Sequence, residues 1–400
     1  MEQSYLRELA RLEMSRTSRR IFLKRMGLGG AMAIGGSTLL AACGESGSRS
    51  TATTGADGEI GGTLQFVGVD GEDGKAIAEP WLKEHDVTLK AAYIADNDTM
   101  LTRLRTGGTR NFDVLTLTKD GAPKEIQLGY VRELDLDRLP DFEGIFPAFD
   151  TAPWVTVDGK TYGFPLVWGS EPCVFDPKVW KEMPPSYTDF ADKRFRGALT
   201  TIDEPYGNQW LVAKSLGFGE NGESNRITQA ELDQVRDAWI EIKKNVKSFS
   251  AAFGDQTDLL VRGEATIALN SWQAVVAFAA EKGKELDYGV PANDGTYYWG
   301  DSYYITSEAP NAATAYAYIA YMTKPENNAK LATELQSAPA SPAARDLLEK
   351  DSVSAGYDFS VVDTSDNTEF VQSILPPDAD EGDIVGKEAW IKSWQEVKSS

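Results

Sequence analysis

The chain has 400 residues and carries 61 acidic against 40 basic side chains, a formal net charge of −21. This balance excludes nucleic acid as the expected partner, because nucleic-acid binding depends on lysine and arginine side chains that neutralise phosphates. Two cysteines and one histidine form no Cys/His cluster with the spacing of a metal site. An acidic surface attracts small cations, although it also serves solubility alone.

The first 42 residues have the layout of a cleavable export signal. A basic stretch with Arg19 and Arg20 precedes an apolar, small-residue run over 26–41, and the segment ends Leu-Ala-Ala-Cys at Cys43. The apolar run is shorter than the ~20 residues that a membrane span needs. The paired arginines resemble the twin-arginine type of bacterial signal, with the general export route left open. The ending resembles the lipobox of bacterial lipoproteins, which predicts a periplasmic or otherwise extracytoplasmic protein with a lipid anchor on Cys43.

Residues 43–61 are rich in Ser, Thr, Gly and Asp and are predicted to form a flexible tether. Removal of residues 1–42 leaves 33 basic and 58 acidic side chains, a net charge of −25. Cys173 is then the only cysteine besides Cys43, so no intramolecular disulfide remains, and we expect Cys173 to be a small buried apolar residue. The remaining length predicts two domains.

The first part of the body alternates between strand and helix. Strands are predicted at 64–69, 87–94 and 112–117, with helices at 75–85 and 99–106. This order predicts a parallel sheet covered by helices, with the connections 68–74 and 118–122 side by side where such sheets bind ligands. His85, in the turn between the first helix and the second strand, is expected to be a solvated or capping residue.

A second set of elements follows residue 169. Helices are predicted at 209–216, 229–246, 273–280 and 312–322, a helix and strand within 258–269, extended segments at 286–290 and 303–306, and a closing helix after the loop 375–386. Thr228 and Glu231 have the spacing of an N-terminal capping box. Tyr303 and Tyr304 are expected to alternate, one pointing inward and one outward.

Several segments together resemble one protein family. They are Tyr162 to Gly169, Pro185 to Phe190, Arg194 to Gly197, Ile202 to Pro205, Leu259 to Leu269 and Trp299 to Ser302. In this order they are similar to the spermidine/putrescine-binding proteins of bacterial ABC importers. The resemblance implies an α/β, two-lobed type II periplasmic-binding-protein fold with a hinge between two mixed-sheet domains. It also implies a monomer that closes on a small cationic ligand, a polyamine, and docks on an ABC permease in the inner membrane.

With this fold, lobe 1 is expected at 62–167 plus 300–345, and lobe 2 at 168–299 plus 346–400. A polyamine site needs carboxylates for the ammonium groups and aromatic faces along the methylene stem. Trp299 and Asp301 offer both within three residues, in a segment that resembles the family's strongest binding motif. The alternative is a core tryptophan beside a loop-capping aspartate.

Other family positions fall on further residues of this chain. Glu204 retains an acid, Thr118 retains a hydroxyl, and Trp272 lies one residue from the expected pocket tryptophan. Trp168 is expected to be a core residue. The predicted ligand-binding set is Asp70, Glu72, Thr118, Asp120, Glu204, Trp272, Trp299 and Asp301.

The chain departs from the family pattern at several of these positions. Residues 68–72 replace an aromatic loop with a glycine-rich acidic one, and Asp120 stands where a ring is common. Ser337 replaces a tyrosine, and Gly207 replaces a second acid. The new acids either contact a cation of different length or are solvated loop carboxylates. The polyamine prediction therefore has alternatives with the same fold, namely another amino cation, a sugar or ferric iron.

An enzyme is the contrasting hypothesis. The sequence contains no phosphate-binding glycine loop and no Gly-x-Ser-x-Gly motif, and its one histidine has no evident catalytic partner. We therefore predict no catalytic residue, no cofactor and no resident metal.

Overall fold

The structure, a computed structural model, describes residues 58–94, 97–219, 222–365 and 367–400. The predicted signal with Arg19 and Arg20, the lipidation site Cys43 and most of the tether lie outside the described residues. Among the helices of the described ranges, none combines the length and the apolar character needed to cross a bilayer.

Strands and helices alternate through most of the described chain. The strands are β1 Gly62–Gly68, β2 Val87–Tyr93, β3 Val114–Thr118, β4 Thr156–Val157, β5 Lys160–Thr161, β6 Phe164–Ser170, β7 Cys173–Phe175, β8 Leu199–Ile202, β9 Val246–Ser250, β10 Ile267–Ala268, β11 Asp287–Gly289, β12 Tyr298–Ile305 and β13 Ala338–Pro339. The helices are α1 Lys75–Glu84, α2 Asn97–Arg105, α3 Ala122–Gln127, α4 Pro147–Asp150, α5 Pro205–Ser215, α6 Gln229–Lys243, α7 Phe253–Val261, α8 Val275–Glu281, α9 Ala312–Met322, α10 Pro325–Glu334, α11 Pro342–Arg345, α12 Thr368–Val371 and α13 Lys387–Ser399.

The first sheet has the strand order β13-β6-β12-β3-β1-β2. Strand β1 pairs in parallel with β2 and β3, as the alternating pattern predicts, while β12 lies antiparallel to both β3 and β6. Because β12 comes from late in the chain, it closes the sheet beside the early strands and brings Asp301 opposite Thr118.

The second sheet has the order β11-β7-β10-β8-β9. Strands β8, β9 and β10 run parallel, and β7 lies antiparallel to β10 and β11. Helices α5, α6 and α13 cover this sheet, and Trp239 meets Trp394 edge to face at 5.2 Å between ring centroids. Each sheet therefore has a hydrophobic core of its own, which gives the two mixed-sheet lobes that the resemblance implied.

Within the described residues, the chain passes between the sheets at three places. Strand β6 continues into β7 through 171–172, β11 leads into β12 through 290–297, and Phe370 packs in the first core while Ile374 packs in the second. These three crossings run side by side between the two sheets. Such a set of crossings is the structural requirement of a hinge between lobes.

The lobe boundaries derived from sequence stay a prediction, but the cores divide the chain slightly differently. Strands β6 and β12 lie wholly in the first sheet, so Trp168 and Trp299 belong to strands of that sheet. The segment predicted as part of lobe 2, 346–400, contributes Tyr357 and Phe370 to the first core and the closing helix to the second. Chain order alone does not reveal this return.

Local sequence signals placed several elements well. Helix α9 has the predicted bounds, and α6 begins at the predicted capping box, where Glu231 N donates to Thr228 Oγ1 at 3.3 Å and Thr228 N donates to Glu231 Oε2 at 2.8 Å. His85 ends α1 as its C-cap, and its ring lies tilted against that of Trp81, in agreement with a capping role. Cys173 is free and buried in the second core, as expected.

The expected alternation of Tyr303 and Tyr304 is wrong in one respect. Both side chains are fully buried, because helices and loops cover both faces of the first sheet. Tyr303 Oη donates to the carbonyl of Glu72 at 2.7 Å, and Tyr304 Oη donates to the carbonyl of Trp154. At these positions of the central strand β12, neither side of the sheet reaches solvent.

Candidate functional site

The carboxyl ends of β1 and β3 and the middle of β12 bring two acidic side chains together. Glu72 lies in the loop after β1, and Asp301 lies on β12; both are buried, and their carboxyl groups are close enough to shift each other's pKa. The loop is held in place because Tyr303 Oη donates to Glu72 O at 2.7 Å and Val69 N donates to Thr116 Oγ1 at 3.1 Å. Residues far apart in the chain therefore build one rigid acidic pair.

Burial and mutual proximity disfavour full ionisation of this pair. Burial raises the pKa of Asp301 well above its usual range, and the charge of Glu72 and the hydrogen bond to it raise that pKa further. Burial also raises the pKa of Glu72, although hydrogen bonds from Thr116 and Asp301 oppose the shift. Two buried carboxyls in contact share a proton, because a second negative charge is unfavourable there. A bound cation would supply a positive charge and so allow both carboxyls to ionise.

A second acidic pair lies where the chain enters the second sheet. Glu204 is the N-cap of α5, where its Oε1 accepts from Tyr206 N and its Oε2 accepts from Gly207 N, both at 2.6 Å. Proline at the first helical position and an acceptor at the cap both favour a helix start here. Burial nevertheless raises the pKa of Glu204 to about 7, against the effect of these backbone donors.

Glu171 lies close enough to Glu204 to feel its charge, and reasoning from the sequence did not identify it. It is 7% exposed and lies in the crossing between β6 and β7. Burial raises the pKa of Glu171 well above its usual range, and the charge of Glu204 adds to the effect. Its Oε2 has no hydrogen-bond partner among the described residues. No motif marks this residue in the sequence, where it follows Gly169 by two positions.

The charge of Asp120 acts on both pairs. It raises the pKa of Asp301 in one pair and the pKa of Glu204 in the other. Asp120 is half-buried, and its Oδ1 accepts from Ile374 N at 3.2 Å in the third crossing. The neighbouring Lys119 does not neutralise the acids directly, since its Nζ donates to the carbonyls of Phe370, at 3.0 Å, and Gln372. Burial lowers the pKa of Lys119 to about 8.

Two tryptophans of the predicted set form an aromatic corner. Trp272 and Trp299 are half-buried and meet edge to face, with 6.3 Å between ring centroids. Trp299 packs over Gly169, where an added Cβ would lie 2.4 Å from Cζ2 of the ring, so only glycine allows this placement. Trp168 is fully buried and donates from Nε1 to Pro339 O at 2.9 Å, in agreement with the predicted core role.

The remaining predicted residues are placed less favourably. Asp70 is exposed on the loop after β1. Thr118 is half-buried, and its hydroxyl is engaged with the Asn97 side chain at 3.0 Å and with Gly121 N at 3.2 Å. The structure thus brings Glu72, Asp120, Glu204 and Asp301 into electrostatic contact and places Trp272 against Trp299, while Asp70 stays at the surface.

The departures from the family pattern have local physical reasons. An added Cβ on Gly207 would lie 2.5 Å from the hydroxyl of Tyr297, so this tyrosine occupies the space of a side chain at 207. An added Cβ on Gly68 would lie only 2.0 Å from Thr116 Oγ1. Ser337 is buried, and Tyr357, whose Oη donates to Gln336 O at 3.0 Å, packs over Trp168 nearby.

No group of three or more His, Cys, Asp or Glu side chains within the described ranges has the arrangement of a metal site. The acids instead occur as two pairs, and Lys119, next to Asp120, donates to backbone carbonyls and not to either pair. Such an arrangement suits ammonium groups, each of which donates several hydrogen bonds.

The sequence model of a family described as bacterial extracellular solute-binding protein matches residues 76–357. The chain belongs to this family. Its members bind solutes and are not enzymes, which confirms the prediction that this chain is not an enzyme.

Individual relatives of this solute-binding protein are distant. The putrescine/agmatine-binding protein of Pseudomonas aeruginosa is 23% identical over 260 residues, 61% of this chain and 69% of the relative. The spermidine/putrescine-binding periplasmic protein of Escherichia coli is 21% identical over 277 residues, 68% of this chain and 76% of the relative. The resemblance identified from sequence is thereby confirmed.

Solved structures support the fold. A spermidine/putrescine ABC transporter substrate-binding protein from Streptococcus pneumoniae superposes with a TM-score of 0.66 at 18% identity, covering 84% of this chain and 97% of its own. A lipoprotein of Treponema pallidum gives a TM-score of 0.66 at 16% identity, covering 84% and 99%. These similarities establish the two-lobed architecture, and the ligand is a separate question.

Proposed function

We propose that this solute-binding protein captures a polyamine-type cation between its two lobes and delivers it to an ABC permease. The observation that carries the proposal is two acidic pairs, the buried Glu72 with Asp301 and the buried Glu171 with the half-buried Glu204, beside the rings of Trp272 and Trp299. Among the described residues, neither pair forms an ion pair with a lysine or arginine, so their charge is left for a ligand to neutralise. The names of the polyamine-binding relatives support the same ligand class.

The chemistry favours an amine over the alternatives. Buried carboxyls that are protonated without ligand lose their protons at little cost when an ammonium group replaces the missing countercharge. The tryptophan faces attract a cation by about 0.5–2 kcal/mol and cover the methylene stem. A sugar uses the rings but leaves buried carboxyls without a countercharge, which is unfavourable.

A second candidate is an amino cation that also carries a hydrogen-bond acceptor, such as a hydroxyl or amide. It is favoured by two buried amide groups, because Asn270 Nδ2 and Gln273 Nε2 have no acceptor among the described residues. Gln273 approaches the first crossing, where its Oε1 lies 3.4 Å from Ser170 Oγ. Such donors suit an oxygen on the ligand and cannot be satisfied by an ammonium group.

Calorimetry on the purified protein tests both candidates. Putrescine, spermidine, agmatine, an amino alcohol, glucose and ferric iron are titrated at pH 8, where the predicted carboxylates are most ionised. Binding confined to di- and triamines supports the first candidate, and tighter binding of the amino alcohol than of putrescine supports the second. Binding of glucose or ferric iron without any amine would contradict both.

We further propose that the protein acts outside the cytoplasm, anchored by a lipid on Cys43. Support comes from the signal-like residues 1–42 with Arg19 and Arg20, from the extracellular family and from the structural neighbour described as a lipoprotein. The acidic surface would also keep the folded body from adsorbing to anionic lipid, so the lipid chain is the expected attachment.

Replacing Cys43 with serine tests the anchor. In bacteria fed a labelled fatty acid, we expect the wild-type protein to carry label and to sediment with membranes, and Cys43→Ser to lose both. Cys173→Ser is the matched control, because Cys173 is buried in the second core. Labelling that persists in Cys43→Ser would exclude Cys43 as the lipidation site.

A further inference from the structure

We infer that Glu171 is a ligand-binding and specificity-determining residue, which forms with Glu204 the pair that receives one ammonium group of the ligand while Glu72 and Asp301 receive another. The inference rests on the proposed function, since it assigns a role within the same site. It also specifies the ligand class as a cation with at least two ammonium groups. Glu171 belongs to none of the positions that the sequence resemblance identified.

The backbone of Glu171 is fixed on both sides. Its N–H donates to Tyr297 O at 3.2 Å, and its carbonyl accepts from Thr296 Oγ1 at 2.6 Å. The next residue, Pro172, accepts from Ser271 N at 3.1 Å through its carbonyl. Two crossings and the segment that carries Trp272 therefore hold this residue, so its side chain is positioned by the hinge region and not by a mobile loop.

The side chain of Glu171 has no structural use that explains its burial. A carboxylate that is 7% exposed ordinarily accepts several hydrogen bonds or pairs with a cation. Here Oε2 has no partner in the described part of the chain, and the closest charged influence on it is another acid, Glu204. A buried, unpaired acid beside a like charge destabilises the unliganded protein, so an external cation is the group that satisfies it.

Tyr297 explains why the acid is at 171. Its ring fills the space over Gly207, and its hydroxyl donates to Asn270 Oδ1 at 2.9 Å, which leaves no room for a carboxylate on the first turn of α5. Glu171 and Glu204 both raise the pKa of Tyr297 by their charge, so both acids lie near this residue. The pair thus combines Glu171, from the crossing between β6 and β7, with Glu204, from the N-cap of α5.

Putrescine titration of matched variants tests the inference. Glu171→Gln keeps the shape of the side chain and removes its charge. Glu125→Gln is the control, because Glu125 is also buried with an unpartnered Oε2 but is influenced by Lys124, Lys387 and Asp378 instead of by the two pairs. We expect Glu171→Gln to weaken putrescine binding at least tenfold at pH 8, and Glu125→Gln to change it less than threefold.

Thermal unfolding without ligand gives a second readout. If Glu171 is a buried, uncompensated acid, Glu171→Gln should raise the midpoint at pH 8, whereas a structural carboxylate would lower it. Glu171→Asp keeps the charge and should bind putrescine better than Glu171→Gln does.

The outcomes separate the inference from the proposed function. Wild-type binding of putrescine with equal binding by Glu171→Gln, or equal weakening by Glu125→Gln, would overturn the role of Glu171 and leave the polyamine function intact. Absence of putrescine binding by the wild-type protein would overturn the proposed function, and the inference with it.

Discussion

At the scale of single residues, burial separates acids that can bind a ligand tightly from acids that only attract it. Asp70 and Glu72 are two positions apart in one loop, yet Asp70 is exposed and Glu72 is 2% exposed against Asp301. A charge in solvent contributes mainly to long-range attraction, which salt screens. A buried carboxyl contributes contact energy, because a charge-assisted hydrogen bond is stronger where water is excluded.

Replacing Asp301 with asparagine should weaken the binding of a cationic ligand by about 2 kcal/mol or more, the scale of a hydrogen bond to a charged group. The reason is that the ligand then meets one ionisable carboxyl in place of two. Isothermal titration with putrescine measures the change. Asp158→Asn is a suitable control, because Asp158 is exposed in the β4–β5 turn at φ 51°, a conformation that asparagine also adopts. Unchanged affinity in Asp301→Asn would remove Asp301 from the site.

At the scale of elements, strand β12 organises the site. It carries Trp299 and Asp301 within three residues, and Tyr303 two residues later holds the loop that contains Glu72. Because β12 pairs with both β3 and β6, it places early and late parts of the chain against one another. Helix α5 contributes by its first turn, where Glu204 caps the helix and Gly207 admits the Tyr297 ring.

Replacing Gly207 with alanine should destabilise the protein. Alanine in a helix gains up to about 1 kcal/mol over glycine, but overpacking in a filled core costs about 1–3 kcal/mol. The added Cβ would lie 2.5 Å from the buried Tyr297 hydroxyl, so we expect a net loss of roughly 1 kcal/mol, measured by urea denaturation. Gly144→Ala is the control, since no atom lies within 4 Å of its added Cβ and its φ is not positive. Equal stability of the two variants would mean that Tyr297 moves aside freely.

At the scale of the whole molecule, the clustered acids link stability to pH. The pKa of Glu204 rises from 4.5 to about 7 on folding, and burial also raises the pKa of Glu171 and Asp301. A raised acid pKa means that the folded state binds more protons than the unfolded chain. The stabilisation from these groups is therefore complete below about pH 4.5 and is lost as the pH rises through the folded pKa values.

We expect the midpoint temperature of thermal unfolding of the unliganded protein to decrease as the pH is raised from 5.5 to 8. For Glu204 alone, the pKa shift corresponds to as much as about 3 kcal/mol. A cationic ligand should reverse the trend, so that the stabilisation by putrescine at a fixed concentration grows with pH. Differential scanning calorimetry with and without putrescine measures both effects. A midpoint that rises over this pH range without ligand would contradict the raised pKa values.

The fold was predictable to a large extent, because the signals that specify it are local. The capping box at Thr228 marks the start of α6, the apolar run 312–322 marks α9, and the alternation of strand and helix over 62–118 marks the parallel part of the first sheet. Each signal depends on neighbours within a few residues. The place of β12 in the first sheet and the return of residues 346–371 to the first core depend on contacts distant in sequence.

The candidate site was predictable only in part. Trp299, Asp301 and Glu204 stand within motifs, so their resemblance to known positions located them. Glu171 has no such motif, and its importance comes from burial and from an unpartnered oxygen that only three-dimensional coordinates reveal. Asp70 illustrates the opposite case. Its carboxylate is the type of group that the site needs, but the structure places it at the surface.

Residue types and their short-range spacing were sufficient to predict the order of the elements, the family and the acidic charge. Which acids meet, which are buried and which space Tyr297 fills depends on contacts between residues far apart in the chain. The physical reason is that a carboxyl's pKa and its capacity to bind a cation depend on water exclusion and on nearby charges. Both are properties of the folded surroundings, which the three crossings between the sheets bring together.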